Sequence, residues 1–199
     1  MQIVPCIQLL DSLAPTDIAT LCAAFADEGA PWIQLEDQSS ETAGAPHKVQ
    51  TILGCLDSVN IPIQYFGGVT SVHIGEMLLG LGVGRIVIGD TLWKSANSAE
   101  FMARKFGDRL VCRISPFEPE AAKDLLNWGA GAIQWEVNAQ FTDWDAVNQA
   151  GESAQLVFDP PIQPDFRNLL AAKGVKLGAM LLRSVQPADF GHFSAEVVG

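Results

Sequence analysis

Two short segments hold the residues best suited to chemistry. Tyr65-Phe66-Gly67-Gly68-Val69 and Ile88-Gly89-Asp90-Thr91 each run from an apolar, strand-like stretch into glycine, just ahead of a helical pattern. A strand that ends in glycine lets bare backbone N–H groups approach a ligand, and a following helix start favours negative charge. Gly67, Gly68, Gly89, Asp90 and Thr91 are therefore the candidate phosphate-binding residues. Asp90 complicates the cradle, because a carboxylate about 4 Å from a phosphate costs several kcal/mol at an effective dielectric near 20. It must turn away, pair with a cation, or face a ligand other than phosphate. Asp11 and Asp37 fall at or just past strand ends and are the candidate general bases; a solvated or helix-capping acid is the alternative for each.

Other chemistries find less support. His47, His73 and His192 fall in helical stretches, which does not suit a zinc site. A mouth lined by Asp37, Asp90, Asp159 and Glu136 could take a divalent cation through oxygen, but no spacing rule singles it out. No metal and no cofactor are expected. Schiff-base chemistry needs a lysine of low pKa at the site, and neither Lys94 nor Lys176 is placed for it. Trp93 is the tryptophan positioned to cover a ligand, and of the strand-borne Arg113 and Arg183 one is expected to pair with the acids.

The elements that must position these residues follow from periodicity. Short β-branched runs predict strands near 2–8, 32–37, 61–66, 84–89, 109–115, 131–137, 154–159 and 177–183. Amphipathic stretches predict helices near 16–28, 46–57, 71–81, 97–106, 118–128, 143–150, 164–173 and 187–197. Gly29, Gly82, Gly107, Gly129 and Gly174 sit where helices should stop, while Thr16, Ser71, Asn97 and Asp143 suit N-caps and Pro119 and Pro164 suit first turns. Eight βα units with no GxGxxG after the first strand predict a compact (βα)8 TIM barrel, one domain over 1–199. That is short beside the ~250 residues typical of the fold, so the loops must be trimmed.

Composition narrows the partners. With 199 residues, 48% hydrophobic and 18% charged, the chain can bury a full core. Its net charge of −11 argues against nucleic acid and anionic membrane surfaces. No basic-then-apolar leader and no run near the ~20 apolar residues of a membrane span are present in the sequence, and a cytoplasmic location is expected. Cys6, Cys22, Cys55 and Cys112 lack CxxC spacing and are expected to be buried thiols.

An ordered set of segments resembles a known family. It comprises Ile3-Val4-Pro5-Cys6-Ile7, Asp27-Glu28-Gly29-Ala30-Pro31-Trp32-Ile33-Gln34-Leu35-Glu36-Asp37, Ile61 through Ser71, Gly82 through Gly89, and Phe106-Gly107-Asp108-Arg109-Leu110-Val111. Together they are similar to the ribulose-phosphate-binding barrels of histidine biosynthesis, the ribotide isomerase and the cyclase subunit of imidazole glycerol phosphate synthase. The resemblance implies an Amadori isomerisation by two aspartates, one ending the first strand and one the fifth. Here those positions hold Gln8 and Ser115, and neither an amide nor an unassisted hydroxyl exchanges a proton near pH 7. The resemblance also implies a second phosphate cradle after strands seven and eight. There the chain reads Phe158-Asp159-Pro160-Pro161 and Leu182-Arg183-Ser184, and proline offers no N–H.

Two functions are therefore expected to compete. One is a site for a small phosphorylated metabolite, supporting a different isomerase or lyase step with Asp37 or Asp11 as base. The other is a non-catalytic partner or regulatory barrel, in a homo- or hetero-oligomer. An intact ribotide isomerase stands behind both.

Overall fold

A computed structural model describes residues 1–115, 117–137, 141, 143–158 and 174–190. Eight parallel strands close on themselves in chain order: β1 (Gln2–Gln8), β2 (Ile33–Glu36), β3 (Ile63–Phe66), β4 (Arg85–Ile88), β5 (Leu110–Arg113), β6 (Ala132–Val137), β7 (Ala154–Phe158) and β8 (Ala179–Arg183). The seam is β8 against β1, with Gln2 opposite Ala179 and Cys6 opposite Arg183. Each predicted strand is present, trimmed by a residue or two at several ends. The (βα)8 TIM barrel expected from eight βα units is the observed architecture.

The helices between strands are α1 (Pro15–Asp27), α2 (Gln38–Ala43), α3 (Val49–Ser58), α4 (Val72–Gly80), α5 (Asp90–Trp93), α6 (Ala96–Phe106), α7 (Pro119–Asn127) and α8 (Trp144–Ala150). Their apolar stripes face the outside of the barrel. On α1 the buried residues are Ile18, Cys22 and Phe25, at helical spacing, and on α3 they are Thr51, Ile52 and Cys55. These side chains join the outward-facing strand residues, such as Ile33, Leu35, Ile86 and Leu156, in the main apolar core. All four cysteines are buried free thiols, as their apolar settings predict.

Caps and stops agree with the sequence at most points. Ser71 accepts from the Ile74 N–H and Asp143 from the Ala146 N–H, Pro119 opens α7, and all five expected stop glycines have positive φ. Two caps differ. α1 starts after Ala14, not Thr16, because Pro15 already supplies a first-turn residue that needs no N–H partner. α6 starts after Ser95, not Asn97. The expected helices 164–173 and 187–197, with Pro164 and His192, lie largely or wholly outside the described residues.

Strand alternation decides what faces the barrel axis. Val4, Cys6, Val157, Ala179 and Leu181, with Trp32, form one interior apolar group; Phe66, Val87, Val111 and Ala132 form another. Between and above them the interior is polar.

Candidate functional site

Four inward glutamines, one each from β2, β3, β6 and β7, form a closed ring across the barrel axis. The Gln64 amide donates to Gln34 Oε1 at 2.6 Å and to Gln155 Oε1 at 2.9 Å, and the Gln134 amide donates to the same two oxygens at 2.8 and 3.2 Å. Gln34 in turn donates to Glu36 Oε1 at 2.9 Å, one layer nearer the C-terminal mouth. All four glutamines are buried, so each lost partner would leave a desolvated amide.

Above the ring, Glu36 stands between two arginines. Arg113 pairs with Glu36 Oε1, and Arg183 Nε donates to Oε2 at 2.7 Å. Arg113 also donates from Nε to Gln134 at 2.7 Å, and its guanidinium lies 4.0 Å from the centroid of the Phe66 ring. Glu136, half-exposed, accepts from Arg183 at 2.5 Å and lies 3.6 Å from Arg113. Burial would push the Glu36 carboxyl up, but the two guanidiniums outweigh it and hold its pKa at about 2. Both strand arginines are thus engaged by acids, where the sequence suggested one.

The two positions to which the resemblance assigns catalytic acids are at this mouth. Gln8 ends β1 with the inward parity of Val4 and Cys6, is exposed, and lines a cavity of about 470 Å³ with Asp11, Ser39, Lys48, Glu136 and Arg183. Ser115 follows β5 with the parity of Arg113, also exposed, and its N–H donates to Asp90 Oδ1 at 3.0 Å.

Asp37 and Asp11, the candidate bases, occupy different environments. Asp37 is buried as the N-cap of α2: it accepts from the Ser40 N–H at 3.0 Å and from the Ser39 and Ser40 hydroxyls at 2.6 Å each. Burial opposes its charge, yet those donors and Lys48 Nζ at 3.4 Å keep its carboxyl below the usual range. Asp11 is largely exposed, 2.9 Å from Lys48 Nζ. Lys48 was not singled out from sequence. Burial would lower its pKa, but Asp11 and Asp37 raise it, so it stays a cation and not a Schiff-base nucleophile. His47 lies between α2 and α3, not in a helix, with its ring nitrogens 3.0 Å from Ser40 Oγ and 3.3 Å from Ser39 Oγ. It is exposed; what the structure corrects is its expected place in a helix, since it lies in the loop beside the Asp37 cap.

The phosphate-cradle candidates come together, but an anion is already among them. Gly67 and Gly68 have φ of 151° and 65°, and a Cβ on Gly68 would fall 2.5 Å from a backbone atom of Ala45, so only glycine fits. The Gly68 N–H donates to Glu41 Oε2, from α2, at 2.9 Å. A Cβ on Gly89 would collide with Glu41 Oε1, which places that oxygen over the bare Cα. Burial and the nearby Asp90 push the Glu41 carboxyl up, against the Gly68 N–H and Arg113. Asp90 opens α5 and turns toward protein: it accepts from Trp93 Nε1 at 2.7 Å and the Ser115 N–H at 3.0 Å, with Lys94 at 3.7 Å. Trp93, expected to cover a ligand, is buried and holds Asp90 instead. Thr91 follows in α5, and its side chain lies outside the description. Asn138 and Asp159 to Pro161 lie outside the described residues, and Ser184 has a left-handed φ of 55°. Among the described residues no group of three His, Cys, Asp or Glu side chains is placed to hold a metal, and no helix is long and apolar enough to cross a membrane.

Glu36, Glu41 and the glutamine ring escaped the sequence reading. For Glu36 and the ring a signal existed: polar residues recur at every second position inside otherwise apolar strands, the period of one strand face. For Glu41 none did, because its partners lie at residues 68 and 89, in other βα units.

Comparison with known proteins bears on this architecture. Residues 8–157 match the model of the histidine biosynthesis protein family. Among curated relatives is the 1-(5-phosphoribosyl)-5-((5-phosphoribosylamino)methylideneamino) imidazole-4-carboxamide isomerase of Desulforamulus reducens, 29% identical over 82% of this chain and 61% of its own length. The isomerases of the same name from Methylobacterium nodulans and Rhodospirillum centenum are 32% and 31% identical, over 64% and 49% of this chain and 50% and 40% of theirs. The chain thus spans between two fifths and three fifths of the length of these relatives. With a family match that runs from the end of β1 through β7 of a closed eight-stranded barrel, the chain belongs to the histidine biosynthesis protein family.

Proposed function

We propose that this barrel is a non-catalytic member of its family, a partner or regulatory subunit that does not carry out the ribotide isomerisation for which its relatives are named. The observation that carries this reading is the make-up of the mouth. At the strand-one and strand-five ends stand Gln8 and Ser115, an amide and a hydroxyl. Moving a proton on a sugar carbon takes an acid and a base on opposite sides of it, and these groups supply neither unaided. The charges that remain are spent on one another: Glu36 on Arg113 and Arg183, Asp37 on the α2 cap and Lys48. The test is steady-state turnover of the relatives' ribotide by the wild type and by the Gln8→Asp/Ser115→Asp double variant. Wild-type turnover no faster than the buffer blank is expected; turnover by the wild type refutes the reading.

A second reading is favoured by the mouth cavity. Its volume of about 470 Å³ lies in the range of small-molecule sites, and Asp11 beside Lys48 is its one largely exposed carboxylate among the candidate bases. Here the barrel binds a small phosphorylated metabolite and carries out another isomerase or lyase step, with Asp11 as base. A sugar phosphate that raises the melting temperature of the wild type but not of Asp11→Asn supports this reading over the first.

A further inference from the structure

Two of the cysteines meet on the outside of the barrel. Cys22 lies on the buried stripe of α1 with Ile18 and Phe25, and Cys55 on that of α3 with Thr51 and Ile52. Among the described residues α1 packs on α3 more extensively than any other two helices on each other. Both thiols are fully buried in the main apolar core, and they hydrogen-bond to each other across this seam.

We infer that Cys22 and Cys55 are a redox pair, which a small-molecule disulfide such as oxidised glutathione converts to a cystine that staples α1 to α3.

Three features support this over two cysteines that merely fill the core. First, a disulfide needs two sulfurs carried by backbones that are already close, and thiols in contact between packed helices meet that need. Second, the pair is asymmetric. The Cys22 S–H donates to the Cys55 sulfur, which holds the Cys55 thiol below its usual value although burial opposes it. The same bond, with burial, pushes the Cys22 thiol up, so Cys55 is the one prepared to attack. Third, the other two cysteines lack this setting: burial raises the Cys112 thiol, and burial with Glu36 close by raises that of Cys6.

The exchange balances without a further reactant. The Cys55 thiolate attacks one sulfur of glutathione disulfide and releases a glutathione thiolate. Cys22 then attacks the Cys55 sulfur of the mixed disulfide and releases the second. The two protons of the protein thiols pass to the two glutathiones; the protein loses two electrons and the glutathione disulfide gains them. Because both thiols are buried, the reagent reaches them only when α1 or α3 opens locally, so closure should be slow. The cystine would tie together two elements that lead away from the mouth cavity, since α1 follows the loop of Asp11 and α3 follows Lys48.

The inference goes beyond the non-catalytic reading and does not depend on it, because its test measures no turnover. Folded wild type and Cys55→Ala are incubated with oxidised glutathione, then denatured, alkylated and mapped by peptide mass spectrometry, with melting curves recorded before denaturation. The wild type should yield peptides joined from Cys22 to Cys55 that dithiothreitol releases, and its melting temperature should rise by about 5–15 °C. Cys55→Ala should show neither. Four alkylated thiols in the wild type, after an exposure long enough for the amides of α1 and α3 to exchange, overturn the inference. So do a link between other cysteines, a glutathione that stays on Cys55, or a linked protein no more stable than the reduced one. If Cys55→Ala does not fold, the wild-type map and melting curve decide alone.

Discussion

Replacing Glu36 by glutamine removes the anion that neutralises two guanidiniums inside the barrel. Arg113 would keep Gln134, the Phe66 ring and a 3.6 Å approach to Glu136, and Arg183 would keep Glu136, but neither would retain a buried carboxylate. Breaking a buried ion pair from one side costs about 3–5 kcal/mol, chiefly because the abandoned charge stays desolvated. The depression of the Glu36 pKa from 4.5 to about 2 gives a similar figure, about 3 kcal/mol at 1.36 kcal/mol for each pH unit. Against a total stability of about 5–15 kcal/mol this is a large share, and in urea the midpoint should fall by about 1–3 M. The assay is equilibrium unfolding of both proteins at neutral pH and at a series of acid pH values. A carboxyl whose pKa is depressed by folding stabilises the native state above its unfolded value and loses that contribution as pH falls toward its folded value. The wild type should therefore lose its advantage over Glu36→Gln between about pH 4.5 and 2. A difference below about 1 kcal/mol at neutral pH, or one that stays constant through the acid range, refutes the reasoning.

Two further outcomes test the scaffold around the site. Gln64→Leu breaks both bonds it donates within the glutamine ring and leaves Gln34 and Gln155 short of a donor, so chemical denaturation should show a loss of about 1–3 kcal/mol. Asp37→Ala deletes the α2 cap and both serine contacts, so the loss should reach about 1–2 kcal/mol by thermal or urea unfolding, with protection from hydrogen exchange falling first at Ser40 and Glu41.

Much of the barrel was legible because its strands are short, largely apolar runs, as strands buried on both faces must be, and because β3 and β4 run straight into glycine. The helices that escaped notice, α2 and α5, are six and four residues long. Gln38-Ser39-Ser40-Glu41 carries no apolar stripe, so its helical state rests on the Asp37 cap and not on burial of a face. The same brevity hid Glu41, the residue that fills the cradle. His47 was misread for a related reason: the apolar period of α3 was extended backward over residues that belong to the preceding loop. Asp11, Asp37, Gln8 and Ser115 were placed at the mouth by counting from strand ends, which works because every strand delivers its C-terminal residue to one rim. What counting could not reveal is pairing. That Glu36 meets arginines from β5 and β8, 77 and 147 residues away, depends on closure of the sheet and has no local trace in the sequence.

On the non-catalytic reading, a mouth whose charges are mostly paired with one another does not take up the ribotide of its relatives. Calorimetric titration of the wild-type barrel with that ribotide addresses it most directly. The heats should match dilution alone throughout the titration. Saturable binding of one ribotide to each barrel would contradict the claim.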